Sequence, residues 1–148
     1  MGELFVLDTN VLVHYVRGGE VWRRIQGKYS LLVADPQPLI SAVSVGELRS
    51  LAFQFNWQIA RRTQMEFILN YFEWINIDRE AVLRHYAMID AYTRKHGRPM
   101  GKNDLWIAAT ARATGARILT TDRDFDFIHS LFIRREWIDP TTPPSVTP

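Results

Sequence analysis

The sequence predicts an α/β protein whose central, mainly parallel sheet is flanked by helices. Short apolar runs alternate with longer segments of helical periodicity, which is the pattern of parallel strands joined by crossover helices. No internal repeat and no domain boundary interrupts this pattern before the proline- and threonine-rich end. We therefore expect one domain with about four to five strands over residues 1–138, and a flexible tail over residues 139–148.

The N-terminal half opens with the apolar run ELFVLD (residues 3–8), which is typical of a buried strand. A helix follows, because apolar residues recur at helical spacing from Val11 to Val16, and Gly18 ends it. A basic helix from Glu20 to about Lys28 leads into an irregular link that contains prolines. The other elements predicted here are a strand over residues 39–43, a helix from Ser44 to about Phe55 with Glu47 at its capping-box position, and a helix over residues 59–71.

The C-terminal half repeats the alternation of strand and helix. EWINID (residues 73–78) predicts a strand, and Asp78 is expected to cap a long helix from about Arg79 to His96. Glycines then break the chain before the next helix. The remaining predicted elements are a helix from Asp104 to Thr114 closed by Gly115, a strand at RILTT (residues 117–121), a helical turn over residues 124–130 and an edge strand over residues 132–137.

Composition fits a soluble globular protein. The chain has 148 residues, of which 47% are hydrophobic and 23% charged. It has no cysteine, which excludes disulfides and thiolate-held metal clusters. The N-terminus lacks the features of a signal peptide, and no apolar run approaches the roughly 18 residues of a membrane-spanning helix. We expect a cytoplasmic protein without a membrane segment.

The charge balance depends on where the acids lie. Net charge is +2, with 18 basic and 16 acidic residues. If four of the acids lie in one pocket, the rest of the molecule carries a charge of about +6, which would attract a polyanion.

Four acidic residues are expected to meet at one edge of the sheet. Asp8 and Asp122 each follow a strand, and Glu47 and Asp104 lie near the beginnings of helices. In open α/β sheets, ligands bind outside the carboxyl ends of the strands. Asp104 also lies on the small apolar face of its helix, which should press on the sheet, so its side chain is expected to point inward.

Several carboxylates brought close together repel one another and lose hydration, unless they share protons or bind a hard cation. With oxygen ligands and no cysteine, Mg²⁺ or Mn²⁺ is the expected ion. Such an ion polarises a phosphoryl oxygen and activates water.

Each acid taken alone also has a purely structural interpretation. Asp8 is suited to cap the following helix, and Glu47 to complete a capping box. Asp104 is favoured in a first helical turn by the helix dipole. Asp122 and Asp124 suit a turn. The order of the acids and their shared position at strand ends favour the joint, functional interpretation.

Four segments in this order carry a resemblance to a known family: FVLDTNVLVHY, ISAVSVGEL, NDLWIAATA and ILTTDRDF. Together they resemble a PIN-domain ribonuclease, and the short chain resembles the VapC-type toxins of toxin–antitoxin pairs. The resemblance extends from Leu4 to about Trp137.

The resemblance implies an endoribonuclease that depends on Mg²⁺ or Mn²⁺. It assigns the metal-binding and catalytic acids to Asp8, Glu47, Asp104 and Asp122. It matches the family's hydroxyl before the fourth acid to Thr121, and its hydroxyl beside the first acid to Thr9. Asp124 and Asp126 lie close to the fourth acid, and we rank Asp122 first because it directly follows the strand. Hydrolysis would leave a 5′-phosphate and a 3′-hydroxyl.

The resemblance also implies an RNA substrate, a VapB-type antitoxin and a homodimer. The main alternative is a catalytically silent PIN-like module that binds RNA or protein. An aspartyl phosphatase is disfavoured because Asn10 stands where its second acid is expected. A nucleotide-binding module would need a glycine-rich phosphate loop after the first strand, and none is present.

Basic and aromatic residues alternate in three places that are candidates for RNA contact. These are Trp22 to Arg24 with Lys28 and Tyr29, Trp57 with Arg61 and Arg62, and Arg94 to His96 with Arg98 and Lys102. The last is favoured because it leads into Asp104. Trp22, Phe53, Phe55 and Trp57 are candidates for an apolar groove that holds an antitoxin, with core packing as the competing explanation.

Overall fold

The computed structural model describes residues 2–141 and contains a five-stranded parallel sheet in the order β3-β2-β1-β4-β5. The strands are β1 (Phe5–Leu7), β2 (Leu39–Ser41), β3 (Glu73–Ile75), β4 (Arg117–Thr120) and β5 (Arg135–Trp137). Every adjacent pair is parallel. The predicted fold class is confirmed.

Six α-helices connect the strands and cover both faces of the sheet. They are α1 (Thr9–Arg17), α2 (Glu20–Tyr29), α3 (Ala42–Gln54), α4 (Ile59–Tyr71), α5 (Glu80–Lys95) and α6 (Lys102–Thr114). Short 3-10 helices occupy Leu31–Val33 and Asp126–Ile128.

The alternation of side chains along each strand divides the core into two layers. On β1, Phe5 and Leu7 pack with residues of α1 to α4, whereas Val6 packs on the opposite face with residues of α5 and α6. Both layers are apolar, so the short central strands are buried on both sides, as parallel strands usually are.

Helix α6 lies close to the sheet because its inward face is built from small side chains. Ala108, Ala109 and Ala111 are buried there with Leu105 and Ile107. The helix ends at Gly115, which has a φ of 75°, the left-handed conformation that glycine adopts readily. This close approach brings the first turn of α6 to the carboxyl ends of β1 and β4.

Two predicted helix caps are wrong. Helix α3 begins after Ser41, whose side chain accepts a hydrogen bond from Val43 N, so Ser44 and Glu47 lie inside the helix and form no capping box. The strand before it ends at Ser41, because the helix takes over the residues that follow. Helix α5 follows Arg79 without a side-chain cap, so Asp78 does not have the predicted role.

Other boundaries agree to within a few residues. Of the predicted tail, residues 139–141 are described, and Arg24 Nη2 donates hydrogen bonds to the carbonyl oxygens of Asp139 and Thr141. Residues 142–148 lie outside the described part. From Gly2 to Thr141, no helix combines the length and apolar character needed to cross a membrane.

Candidate active site

A cleft of about 690 Å³ opens at the carboxyl edge of the sheet, between the beginnings of α1 and α6 and one side of α3. Five carboxylates line it: Asp8, Glu47, Asp104, Asp122 and Asp124. The structure thus brings together the four acids singled out from the sequence and adds Asp124. The neutral part of the lining includes Ser50 and Gln54, which lie on α3 beyond Glu47.

Asp8 is the most deeply buried of these acids, with 2% of its surface exposed. It caps α1, since its Oδ1 accepts a hydrogen bond from Thr9 N at 2.8 Å. Its Oδ2 accepts one from Thr120 Oγ1 at 2.8 Å. Burial, followed by the charge of Asp122, raises the pKa of Asp8 well above its ordinary value. Asp8 therefore both caps α1 and belongs to the acidic cleft.

Glu47 reaches the cleft from the second turn of α3 and is held by two donors. Thr9 Oγ1 donates to its Oε1 at 2.6 Å, and Asn103 Nδ2 donates to its Oε2 at 2.8 Å. Thr9 Oγ1 also lies 2.8 Å from Ser44 Oγ. The hydroxyl beside the first acid therefore links α1 to α3 across the cleft.

Asp122 lies just beyond β4, in the turn that leads to Asp124. Asn10 Nδ2 donates to its Oδ2 at 2.9 Å, and its Oδ1 accepts a hydrogen bond from Asp124 N at 3.0 Å. The second bond closes an Asx turn, which is the structural role considered from the sequence. The same turn directs the Asp124 side chain into the cleft.

Asp104 lies half-buried in the first turn of α6, facing the other acids. Burial raises its pKa from 3.8 to about 7, with further contributions from the charges of Asp124 and Asp122. A carboxyl group with this pKa is poised to exchange its proton for a cation near neutral pH.

Sequence analysis missed one contributor to the site and ranked another too low. Thr120, not Thr121, supplies the hydroxyl that contacts Asp8, and it also accepts a hydrogen bond from Asp122 N at 3.1 Å. Thr121 is buried and does not line the cleft, and the role that the resemblance assigns to it stays a prediction. The missing signal was the register of β4, because adjacent residues of a strand point in opposite directions.

Asp124 is the contributor that was ranked too low. From the sequence it was placed behind Asp122 as the fourth acid, but it lines the cleft beside Asp122 and is the largest charge influence on Asp104. Asp126 has a different environment: it pairs with Arg135 at 2.8 Å and with Arg123 at 3.4 Å, and it does not line the cleft.

The donor atoms of the cleft are those that a hard divalent cation prefers, namely carboxylate oxygens without sulfur. Their mutual repulsion is the kind that a cation relieves. Within residues 2–141, however, no three acidic or histidine side chains are already arranged as a ligand set. The chemistry of the donors fits the ion, and side-chain rotation would be needed to complete its coordination.

The aromatic candidates fall into two groups. Trp57 is a core residue, 6% exposed, which disfavours its stacking on a base. Trp22 is half-buried in an edge-to-face contact with Tyr15. Phe53 and Phe55 are exposed at the end of α3. An apolar groove lined by all four residues is therefore not formed.

The PIN domain family model matches residues 5–129. The chain is 28% identical over 140 residues to Ribonuclease VapC1 of Haemophilus influenzae (strain R2866), covering 92% of this chain and 97% of the relative. It is 39% identical over 88 residues to Ribonuclease VapC4 of Mycobacterium tuberculosis, covering 58% and 67%.

Solved structures share the fold. A chain in the structure of VapBC2 from Rickettsia felis bound to a promoter DNA fragment superposes with a TM-score of 0.76 at 20% identity, covering 90% of this chain and 97% of that one. For FitAcB from Neisseria gonorrhoeae the TM-score is 0.70 at 26% identity, covering 88% and 95%.

Proposed function

Because this chain belongs to the PIN domain family, we propose that it is a metal-dependent endoribonuclease and the toxin of a toxin–antitoxin pair. Relatives named Ribonuclease VapC1 and Toxin FitB each align over 92% of the chain. The observation that carries the proposal is the set of five carboxylates lining one cleft at the carboxyl edge of the sheet. No rival enzyme class considered from the sequence explains this set.

The proposed cofactor is Mg²⁺ or Mn²⁺, held by Asp8, Glu47, Asp104 and Asp122. When bound, such an ion polarises the phosphoryl group and lowers the pKa of water. Asp124 lies beside Asp104 and adds negative charge to the same cleft.

Neutral side chains of the cleft hold the acids in place. Thr120 orients Asp8, Thr9 and Asn103 orient Glu47, and Asn10 orients Asp122. In the proposed reaction, a water oxygen bonds to phosphorus while the bond between phosphorus and the 3′ oxygen breaks. A cleft carboxylate accepts the water proton, and the departing 3′ oxygen takes a proton from solvent to become the 3′-hydroxyl. Fixed carboxylates lower the reorganisation that this step requires.

The proposed partners are an RNA substrate, a VapB-type antitoxin and a second copy of the chain. Structural neighbours include a member of the VapBC family of toxin–antitoxin systems from Mycobacterium tuberculosis and a toxin–antitoxin complex from Klebsiella pneumoniae, which supports the antitoxin as a partner. The cytoplasmic location expected from the sequence agrees with an RNA substrate, and it remains a prediction.

The second candidate function is a catalytically silent module that binds RNA or protein. It is favoured by one observation. The side-chain amides of Asn10 and Asn103 donate hydrogen bonds to carboxylate oxygens that would otherwise serve as metal ligands. Metal-dependent cleavage would separate the two candidates.

The decisive experiment is incubation of the purified chain with total cellular RNA, with Mn²⁺ or with a chelator, followed by mapping of new 5′ ends. We expect specific 5′-phosphate ends with Mn²⁺ only, and their loss in Asp104→Asn. The control is Asp78→Asn, because Asp78 is exposed and lies outside the cleft. Equal activity of Asp104→Asn and Asp78→Asn would refute the proposal.

A further inference from the structure

A second cavity, of about 480 Å³, adjoins the acidic cleft and shares Asp104 and Asp124 with it. Its other walls come from the loop between α5 and α6 and from the turn after β4. They are Arg98, Pro99, Met100, Gly101, Arg123, Asp126 and Phe127. This volume falls in the range of about 300–1,000 Å³ that accommodates small molecules. We call it the side cavity.

Two arginines flank the side cavity, and aromatic rings hold both. The guanidinium carbon of Arg98 lies 5.1 Å from the centre of the Phe127 ring, and that of Arg123 lies 3.8 Å from the centre of the Trp137 ring. Such contacts stabilise a cation and limit its motion. Both guanidinium groups are therefore partly ordered before any ligand arrives.

The positive charge of Arg98 is available to a ligand. Arg98 is exposed, and within residues 2–141 it takes part in no ion pair. Asp126 pairs with Arg135 at 2.8 Å and with Arg123 at 3.4 Å, so a bound phosphate would share Arg123 with Asp126. The side cavity thus presents arginine next to the acidic cleft, whereas the opposite side of the cleft is lined by the neutral residues Ser50 and Gln54.

We propose that the side cavity is the subsite for the nucleotide next to the scissile phosphate, and that this nucleotide must be single-stranded. Arg98 and Arg123 bind the phosphate that flanks the cleavage point. The base leaves its stack and lies against the Arg98 guanidinium plane, between Phe127 and Met100. A guanidinium plane is a common platform for an unstacked RNA base, and a base that stacks there has left its own helix.

This inference rests on the proposed nuclease function and specifies which part of the substrate is held, and where. It makes the RNA-binding site asymmetric, because the arginines lie on the α6 side of the cleft. An acidic side chain of a protein partner is the competing occupant. That occupant would leave RNA affinity independent of Arg98.

The test measures binding without cleavage. Glu47→Gln serves as the inactive background, since Glu47 lines the cleft but not the side cavity. The probe is a fluorescent single-stranded RNA of mixed sequence, with the same sequence as a duplex for comparison. Arg98→Gln, Arg98→Lys and Arg123→Gln are each made in this background. Arg84→Gln is the matched control, because Arg84 is an exposed arginine of α5 that lines neither cavity.

Arg98→Gln and Arg123→Gln are each expected to weaken single-strand binding several-fold. Each should also reduce the slope of log affinity against log salt by about 0.7, the value for one lost phosphate contact on a single strand. Arg98→Lys should keep the salt slope but still weaken binding, because lysine retains the charge and loses the stacking plane. The parent should bind the single strand more tightly than the duplex.

Affinities of Arg98→Gln and Arg123→Gln equal to that of Arg84→Gln would overturn the subsite, as would equal binding of single strand and duplex. If Arg98→Lys binds the single strand as tightly as the parent does, the proposed stacking of a base on Arg98 is wrong. If the chain with Glu47 intact does not cut RNA in the presence of Mn²⁺, the proposed nuclease function is wrong. That result is distinct from the outcome of the binding test. With Glu47 restored, the Mn²⁺-induced rise in Tm should be the same in Arg98→Gln and Arg84→Gln, so that loss of RNA binding cannot be ascribed to a damaged acidic cleft.

Discussion

Thr120 Oγ1 donates a hydrogen bond of 2.8 Å to Asp8 Oδ2, although the two residues are 112 positions apart in the chain. The bond joins the ends of β1 and β4, which are neighbours in the sheet. Thr120 Oγ1 also accepts a hydrogen bond from Asp122 N, so one buried hydroxyl fixes the geometry of two acids.

Thr120→Val keeps the shape of the side chain and removes the hydroxyl. The folded protein should lose about 1.5–3 kcal/mol of stability, because the bond ends on a buried carboxylate. Mn²⁺ affinity and cleavage rate should fall as well, since Asp8 is no longer oriented. Denaturant unfolding and a metal titration check both expectations.

Thr121→Val is the matched comparison for that substitution. Because Thr121 does not line the cleft, its replacement should affect Mn²⁺ affinity less than Thr120→Val does. The reverse order would support the role assigned to Thr121 by the family resemblance.

Stability without metal should depend on pH through Asp104. Its pKa is raised from 3.8 to about 7 in the folded chain, so the folded state binds more protons than the unfolded state between these values. The free energy of unfolding should therefore fall as pH rises from about 4 to about 7. Asp8, whose pKa is also raised, contributes in the same direction.

Asp104→Asn should reduce that slope, because asparagine does not titrate. Denaturant melts at several pH values in a chelating buffer measure it, with Asp78→Asn as the control. Because the lowered pKa values of His14 and His85 act in the opposite direction, the comparison between the two proteins is decisive. Equal pH slopes in the wild type and Asp104→Asn would contradict the raised pKa of Asp104.

If the acids hold the proposed ion, Mn²⁺ should raise Tm, because it would bind the native cleft and not the unfolded chain. At a concentration one hundred times Kd, the gain is about 2.7 kcal/mol. Asp104→Asn should lose most of this gain while remaining folded. An identical metal response in the two proteins, measured by thermal melts, would rule out Asp104 as a ligand.

The close packing of α6 should be needed for the site as well as for the fold. Ala108 is fully buried between α6 and the sheet, so Ala108→Leu should destabilise the chain by about 1–3 kcal/mol through overpacking. It should also weaken Mn²⁺ binding, because α6 moves and carries Asp104 with it.

Ala87→Leu is the control for that substitution, since Ala87 is exposed on α5. It should leave both stability and metal binding nearly unchanged. If Ala108→Leu unfolds the chain, the smaller Ala108→Val replaces it. A folded Ala108 variant with unaltered metal affinity would show that the position of α6 does not control the site.

Sequence by itself determined the alternating order of strands and helices, because apolar periodicity and glycine stops are local signals that the chain carries wherever it folds. It also identified Asp8, Glu47, Asp104 and Asp122, since each stands at a strand end or an early helical turn.

Tertiary structure decided which hydroxyl, that of Thr120 or that of Thr121, faces the acids, because strand register sets the direction of every side chain. It likewise decided that Asp124 joins the cleft while Asp126 pairs with Arg135, and that Trp57 belongs to the core. These outcomes depend on contacts between residues distant in the chain, and local sequence patterns do not encode such contacts.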